Sequence, residues 1–411
     1  MLASADGRPL TIARSKLNPP DVAPDVLERT RLLHQLDEAA AARQVIAVSA
    51  PAGAGKTTLL AQWTRTRSEA VIWLRLDQDD DGEEAFARAV IAALYEADVA
   101  LGQLAEQLRA NTMPQGTGLR SFIGALMNSI QDRGPATILV LDDLHTIGDL
   151  PVLQAIDYLI ENRPRNVLVV CATRTDPAVS MARQRGRGQL VDLRFGDLRL
   201  TEAETDNLVR EVWRLPLSAE AIQAVRERTE GWPVALRLLQ LSMKAGASAT
   251  LDAPRAEAAD LRPVFDFLAE EVLERQDPEI RRFLLETSIL SELTLEGCAA
   301  ATGRADAARV LDRLIQLNLF IVAYSAGRAP GNAIYRYHDL FAEFLRARTL
   351  HEIGSEGLRA LHRRVAVAST DPVAAVGHLL AAGLWEEAAP RIEAIGRAQL
   401  DLGYVWLPAR G

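Results

Sequence analysis

Cysteine is nearly absent: Cys171 and Cys298 are the only two in 411 residues. Set so far apart, they form neither a disulfide framework nor a metal-ligand pattern, and both read as buried thiols of a reducing compartment. The histidines are scattered without metal spacing. No stretch approaches the roughly 18 uninterrupted apolar residues that a membrane span needs. The first twenty residues lack the apolar core of a secretory signal, so the cytoplasm is the expected location and no membrane partner is expected. A basic excess is missing too. The net charge is −9, which argues against sequence-independent nucleic-acid binding by the chain as a whole. What remains is an ordinary globular composition, 48% hydrophobic and 25% charged. At about 150 residues per domain it has room for several domains.

One stretch organises the rest: Val45-Ile-Ala-Val-Ser-Ala-Pro-Ala-Gly-Ala-Gly-Lys-Thr-Thr58. A β-branched run gives way to small residues and then to the helical spacing of Leu59, Leu60 and Trp63, which reads as strand, loop, helix. Ala50, Pro51, Ala52, Gly53, Ala54 and Gly55 form a loop narrow enough to turn its N–H groups onto an anion, with Ala50 where a first glycine is usual. The helix that follows presents unpaired N–H groups and the positive end of its dipole, beginning near Thr58. In such a loop Lys56 reaches the β- and γ-phosphates of a nucleotide such as ATP, and the Thr57 hydroxyl ligates Mg²⁺.

The flanking sequence spells an alternating pattern. A polar, proline-bearing arm (1–24) precedes an amphipathic helix over 28–43 and a strand over 44–49. Further strands are expected at 70–76, 136–143, 167–174 and 190–195, with helices after the phosphate loop and over 150–162. The acidic cluster from Asp77 to Glu84 reads either as a metal site or, preferably, as the capped start of a helix. Residues 110–118 read as loop, followed by a helix that Gly134-Pro135 ends. Alternation of this kind indicates a doubly wound parallel sheet with its site at the strands' carboxyl ends. From Thr201, a capping box with Glu204, strand signals nearly vanish. Helices fit 219–230 and 233–244, a small-residue linker 245–254, and helices again 264–275, 278–288, 295–301 and 304–317. Two alternating segments, 320–324 and 333–337, flank a turn at 325–332 and lead into a helix over 339–348, a winged-helix pattern. A helix pair over 369–395 suggests the first unit of a helical repeat.

A Mg²⁺–triphosphate needs a phosphate cradle, a metal carboxylate and a compensating cation. Asp142 fits the Mg²⁺ carboxylate. Asp143 reads equally as a general base for an attacking water or as a second carboxylate without that role. Arg174 fits a γ-phosphate sensor, with a plain strand-end arginine as the alternative. The second helix of the winged-helix pattern carries Arg304, Arg309 and Arg313 but also Asp306 and Asp312, which leaves little attraction for a DNA backbone.

Ser49-Ala-Pro-Ala-Gly-Ala-Gly-Lys-Thr-Thr58, Leu139-Val-Leu-Asp-Asp-Leu-His145, Ala172-Thr-Arg174, Gly231-Trp-Pro233 and Tyr337-His-Asp-Leu-Phe341 occur in this order. Together they resemble the motifs of the large LuxR-type ATP-binding transcription regulators, signal-transducing P-loop NTPases of the maltose-activator kind. The resemblance runs from about residue 15 to residue 395. It implies an α/β P-loop NTPase domain with a five-stranded parallel sheet (25–200), a helical domain and linker (201–260), a winged-helix domain (261–350) and the start of a TPR-like repeat (351–411).

It also implies an ATP-dependent switch with weak, slow hydrolysis. ATP would favour a self-associating state, and ADP a closed one in which Pro233 lines the adenine pocket and His338 contacts the β-phosphate. An inducer is implied but not identified. Relatives end in a helix-turn-helix, so DNA is expected as a partner only through a domain this chain lacks. The alternatives are a constitutive AAA-type ATPase, for which Arg183, Arg185 or Arg187 would be a finger offered to a neighbour, and a non-hydrolysing ATP-binding scaffold.

Overall fold

β-branched and aliphatic runs form the strands at the centre of the first of two compact units, residues 1–260 and 261–411. The computed structural model describes residues 12–133, 136–176, 179, 181–245, 261–324 and 334–401. Gly134-Pro135, the turn at 325–332, the linker beyond Ala245 and the first eleven residues of the arm lie outside the described residues.

Strands β1 (Val45–Ser49), β2 (Ala70–Arg75), β3 (Thr137–Asp142), β4 (Val167–Thr173) and β5 (Leu190–Arg194) form one sheet in the order β2-β3-β4-β1-β5. Every pairing is parallel. All five residues of β1 are buried, as expected for a strand covered on both faces. On one face Ile72, Leu74, Leu141, Val169 and Cys171 pack against Phe86, Phe122 and Ile156 of the flanking helices. Because the strands are parallel, Ser49, Asp142 and Thr173 end at the same edge of three adjacent strands. The expected α/β architecture is present.

The elements between strands follow the sequence closely, with some differences. The acidic cluster is a capped turn: Asp77 accepts from the Asp79 N–H, and Asp80 reaches back to the Asp77 N–H. Lys16 pairs with both carboxylates, which ties the N-terminal arm to this turn. Among the described residues no group of three or more His, Cys, Asp or Glu side chains is arranged to hold a metal. A helix at Val99–Thr112 is not foreseen in the sequence reading, and it corrects the start of the loop placed at 110–118. Asp98 caps it through the Ala100 and Leu101 N–H groups, but it buries only Gly102 and Ala105, too narrow a stripe to stand out as a period.

In the second unit, helices Pro278–Thr287, Leu295–Thr302 and Ala307–Gln316 precede an antiparallel pair, β6 (Ile321–Tyr324) and β7 (Ile334–Tyr337). A helix follows over Asp339–Ala368, well beyond its expected end at 348, with a break at Gly354 where φ is +68°. Phe341 lies at the middle of an aromatic core, 5.2 Å from Phe320 and 5.7 Å from Tyr337 between ring centres. The Tyr337 hydroxyl is hydrogen-bonded to Thr287 at 2.7 Å. The helix pair Pro372–Ala381 and Trp385–Asp401 completes the unit. Both cysteines are buried, as expected. No helix among the described residues is long and apolar enough to cross a membrane.

Candidate phosphate-binding site

The loop between β1 and helix Lys56–Arg65 turns on two left-handed glycines, Gly53 (φ +70°) and Gly55 (φ +85°). A side chain at either would be strained in that backbone. The Ala50 N–H donates to the Thr173 carbonyl at 3.2 Å, which anchors the loop's start to the end of β4. Lys56 is buried and folds back over the loop, its Nζ donating to the carbonyls of Ala50 (2.7 Å) and Pro51 (3.0 Å). Burial lowers its pKa to about 8, and the Arg174 charge adds to the effect against Asp143 and Asp142.

The Thr57 hydroxyl donates to the Asp142 carboxylate, 2.9 Å from Oδ2 and 3.1 Å from Oδ1. Asp142 is fully buried, and burial raises its pKa to about 6, helped by the neighbouring Asp143 charge. The Thr57 hydrogen bond and the Arg75 and Lys56 charges oppose that rise. A hydroxyl and a carboxylate so placed are the hard oxygen donors that Mg²⁺ accepts alongside water and phosphate. Asp143 is itself left-handed (φ +57°). Its N–H donates to Asp142 Oδ1, and its own Oδ2 is 3.0 Å from Arg75 Nε.

A cavity of about 460 Å³ opens over this edge, within the usual size of small-molecule sites. Lys56, Thr57, Thr58, Arg75, Asp143 and Arg174 line its polar end. Val26, Leu27, Leu200, Leu208, Trp213 and Pro233 line its mainly apolar end, to which Asp25, Arg29 and Arg237 also contribute. Pro233 opens helix Pro233–Ala245, and the next residue's N–H, that of Val234, donates to the Gly53 carbonyl at 3.1 Å. The Gly231-Trp-Pro motif is thus bonded directly to the phosphate loop. Gly231 is left-handed (φ +71°), and a Cβ there would stand 2.4 Å from the Leu200 carbonyl oxygen, so only glycine fits.

The segment before the first long helix reaches the same cavity. Arg29 is buried, donating to the carbonyls of Leu198 (2.9 Å) and Arg199 (3.0 Å) and pairing with Glu204. The Trp213 indole N–H donates to the Asp25 carbonyl at 3.0 Å, and Arg237 pairs with the Asp25 carboxylate.

The structure therefore brings Lys56, Thr57, Asp142, Asp143, Arg174 and Pro233 to one place. His338 belongs to the second unit. It is fully buried at the start of helix Asp339–Ala368, its N–H donates to the Phe320 carbonyl, and its ring meets Phe320 edge-on. Sequence reasoning missed Arg75, Trp213 and Arg237. Arg75 had a signal, a charge at the end of an apolar strand, but which strand neighbours β3 is not written in the sequence. In the winged-helix segment Arg304 and Arg309 pair with Glu279 and Asp306, so these cations are engaged within the unit.

Residues 27–170 match the AAA ATPase domain and residues 269–356 the MalT winged helix domain. The chain is 31% identical over 372 residues to the HTH-type transcriptional regulator MalT of Serratia proteamaculans, covering 90% of this chain and 40% of that protein. Its counterpart in Yersinia pestis is 31% identical over 374 residues, with the same coverage. The chain thus spans about 40% of the length of the curated relatives it matches. Among solved structures, a Walker-type ATPase of Pyrococcus abyssi superposes with a TM-score of 0.56 at 14% identity, covering 80% of this chain and 99% of that one. That similarity speaks for the fold.

Proposed function

We propose, from the premise that this chain is a relative of the MalT-type regulators and carries an AAA ATPase domain, that it works as a nucleotide-dependent switch. The reading is carried by one observation. A single cavity joins the phosphate loop, with its Thr57–Asp142 pair, to an apolar end walled by Pro233, Trp213 and Leu27. A nucleoside triphosphate has that division of chemistry, a charged chain at one end and a flat, weakly polar base at the other.

In this reading ATP lies along the cavity with its base against Pro233 and Trp213. Lys56 leaves the Ala50 and Pro51 carbonyls for the phosphates, which compensate its buried charge far better than carbonyls do. Thr57 and Asp142 would hold Mg²⁺, which would supply charge neutralisation for the phosphates. Arg174 faces the terminal phosphate, and Asp143 orients a water for slow hydrolysis. By resemblance His338 takes the β-phosphate in the ADP state, and the helical and winged-helix segments (201–260 and 261–350) act as the clamp. Self-association in the ATP state, an inducer, a cytoplasmic location and DNA recognition by a further domain complete the proposal.

The deciding experiment is to denature the purified chain and chromatograph whatever nucleotide is released. Stoichiometric ADP supports the switch. An empty protein with steady ATP turnover favours a constitutive ATPase, binding without turnover favours a scaffold, and failure to bind any adenine nucleotide overturns all three. For nucleotide affinity, Lys56→Ala is expected to cost about 10- to 100-fold, the range for losing a charge-assisted contact.

A further inference from the structure

Arg75 belongs to no motif in the sequence reading, yet it ends β2 directly opposite Asp142 in the parallel register with β3. It emerges at the same edge as the phosphate loop and lines the same cavity as Lys56, Thr57 and Arg174. We propose that Arg75 contacts the terminal phosphate of a bound nucleoside triphosphate and makes this site prefer the triphosphate over the diphosphate. The proposal rests on the nucleotide reading above.

Three observations support it. First, the guanidinium is held at one corner only: Nε donates to Asp143 Oδ2 at 3.0 Å, and the two Nη groups have no protein acceptor among the described residues. Such a planar group, braced along one edge, offers a second edge of N–H donors shaped for phosphate oxygens.

Second, the brace is stiff. Asp143 is fixed by its own left-handed backbone and by the bond from its N–H to Asp142, while Arg75 sits on a strand paired residue by residue to β3. The side chain remains 56% exposed, so it is positioned but not consumed by packing.

Third, the charges favour it. Lys56, Arg174 and Arg75 are the cations lining this end of the cavity, and Asp142 and Asp143 offset part of the Lys56 charge. A diphosphate is already met by Lys56 and the loop N–H groups. The added negative charge of a third phosphate is what a further cation at the sheet edge would answer.

The test compares the affinities of the whole chain for Mg²⁺–ADP and for a Mg²⁺-bound non-hydrolysable ATP analogue, in the native protein, Arg75→Ala and Arg75→Gln. The expected result is about a tenfold loss for the triphosphate in both variants, with ADP affinity changed less than about twofold. Retained ADP binding also shows that the variants are folded, and the glutamine keeps the stem should alanine fail to fold. Equal losses for both nucleotides, or no loss for either, overturn the proposal by reducing Arg75 to a structural or idle group. If the native protein binds neither nucleotide, the nucleotide reading itself has failed, a result distinct from these.

Discussion

Gly231 shows how much of this site depends on a single atom's absence. Its carbonyl accepts from the Leu200 N–H at 2.8 Å, and that closeness leaves no room for a Cβ. Gly231→Ala is expected to combine a left-handed alanine with a backbone collision, a cost of about 3 kcal/mol or more. The collision also pushes on Pro233 and on the Val234–Gly53 bond, so nucleotide affinity should fall along with the melting temperature. Thermal denaturation and nucleotide titration of the variant check both. If stability dropped while affinity stayed intact, the motif would be a folding device alone.

Among the elements, the segment before the first long helix is the least regular and among the most consequential. Arg29 holds it down: one side chain satisfies two buried carbonyls and pairs with Glu204. Arg29→Ala strands the two carbonyls and leaves Glu204 with only the Thr201 N–H and the more distant Arg31, and is expected to cost about 3 kcal/mol, the low end of the range for breaking a buried ion pair from one side. Chemical denaturation measures it, and the second substitution Glu204→Gln should recover part of the loss.

At this scale the sequence was most legible where period and chemistry coincide. The strand at β1, the phosphate loop, the carboxylates ending β3 and the Thr201 capping box can all be read directly. A capped helix with a thin buried stripe, such as Val99–Thr112, could not. Neither could the order of strands, and with it the placing of Arg75 beside Asp142, because register between distant segments depends on packing rather than on local pattern. Trp213 was hidden for the same reason: a tryptophan just past the short helix Leu208–Val212 announces nothing until its partner, the Asp25 carbonyl, is known.

In the molecule as a whole, acid should act unequally on the two units. His362 and His378 face each other through Nδ1 atoms 2.9 Å apart in the helical end of the second unit. Burial lowers the His362 pKa from 6.5 to about 4, with the His378 charge adding to it, and burial also lowers His378. Both are therefore neutral in the fold, and the unfolded chain takes up protons first. Their contribution to stability is fully present above pH 6.5 and is lost as pH falls towards about 4. Arg363 and Glu387, an ion pair nearby in sequence, carry opposite charges and leave the sign unchanged. Melting followed between pH 7.5 and pH 4.5 should show the transition of the second unit moving to lower temperature, and His378→Gln should flatten that dependence. A pH-independent melt would remove the histidine pair from the account.

The indole of Trp213 has a practical consequence. Its ring lines the apolar end of the cavity while its N–H is tied to the Asp25 carbonyl. The molecule thus carries its own optical probe at the cavity wall, where the proposed reading puts the base. An arriving base would alter the emission of this ring, and Trp213→Phe would silence that part of the signal. Occupancy of the cavity could then be followed in real time, in unlabelled protein, as the part of the emission of the six tryptophans that disappears in Trp213→Phe.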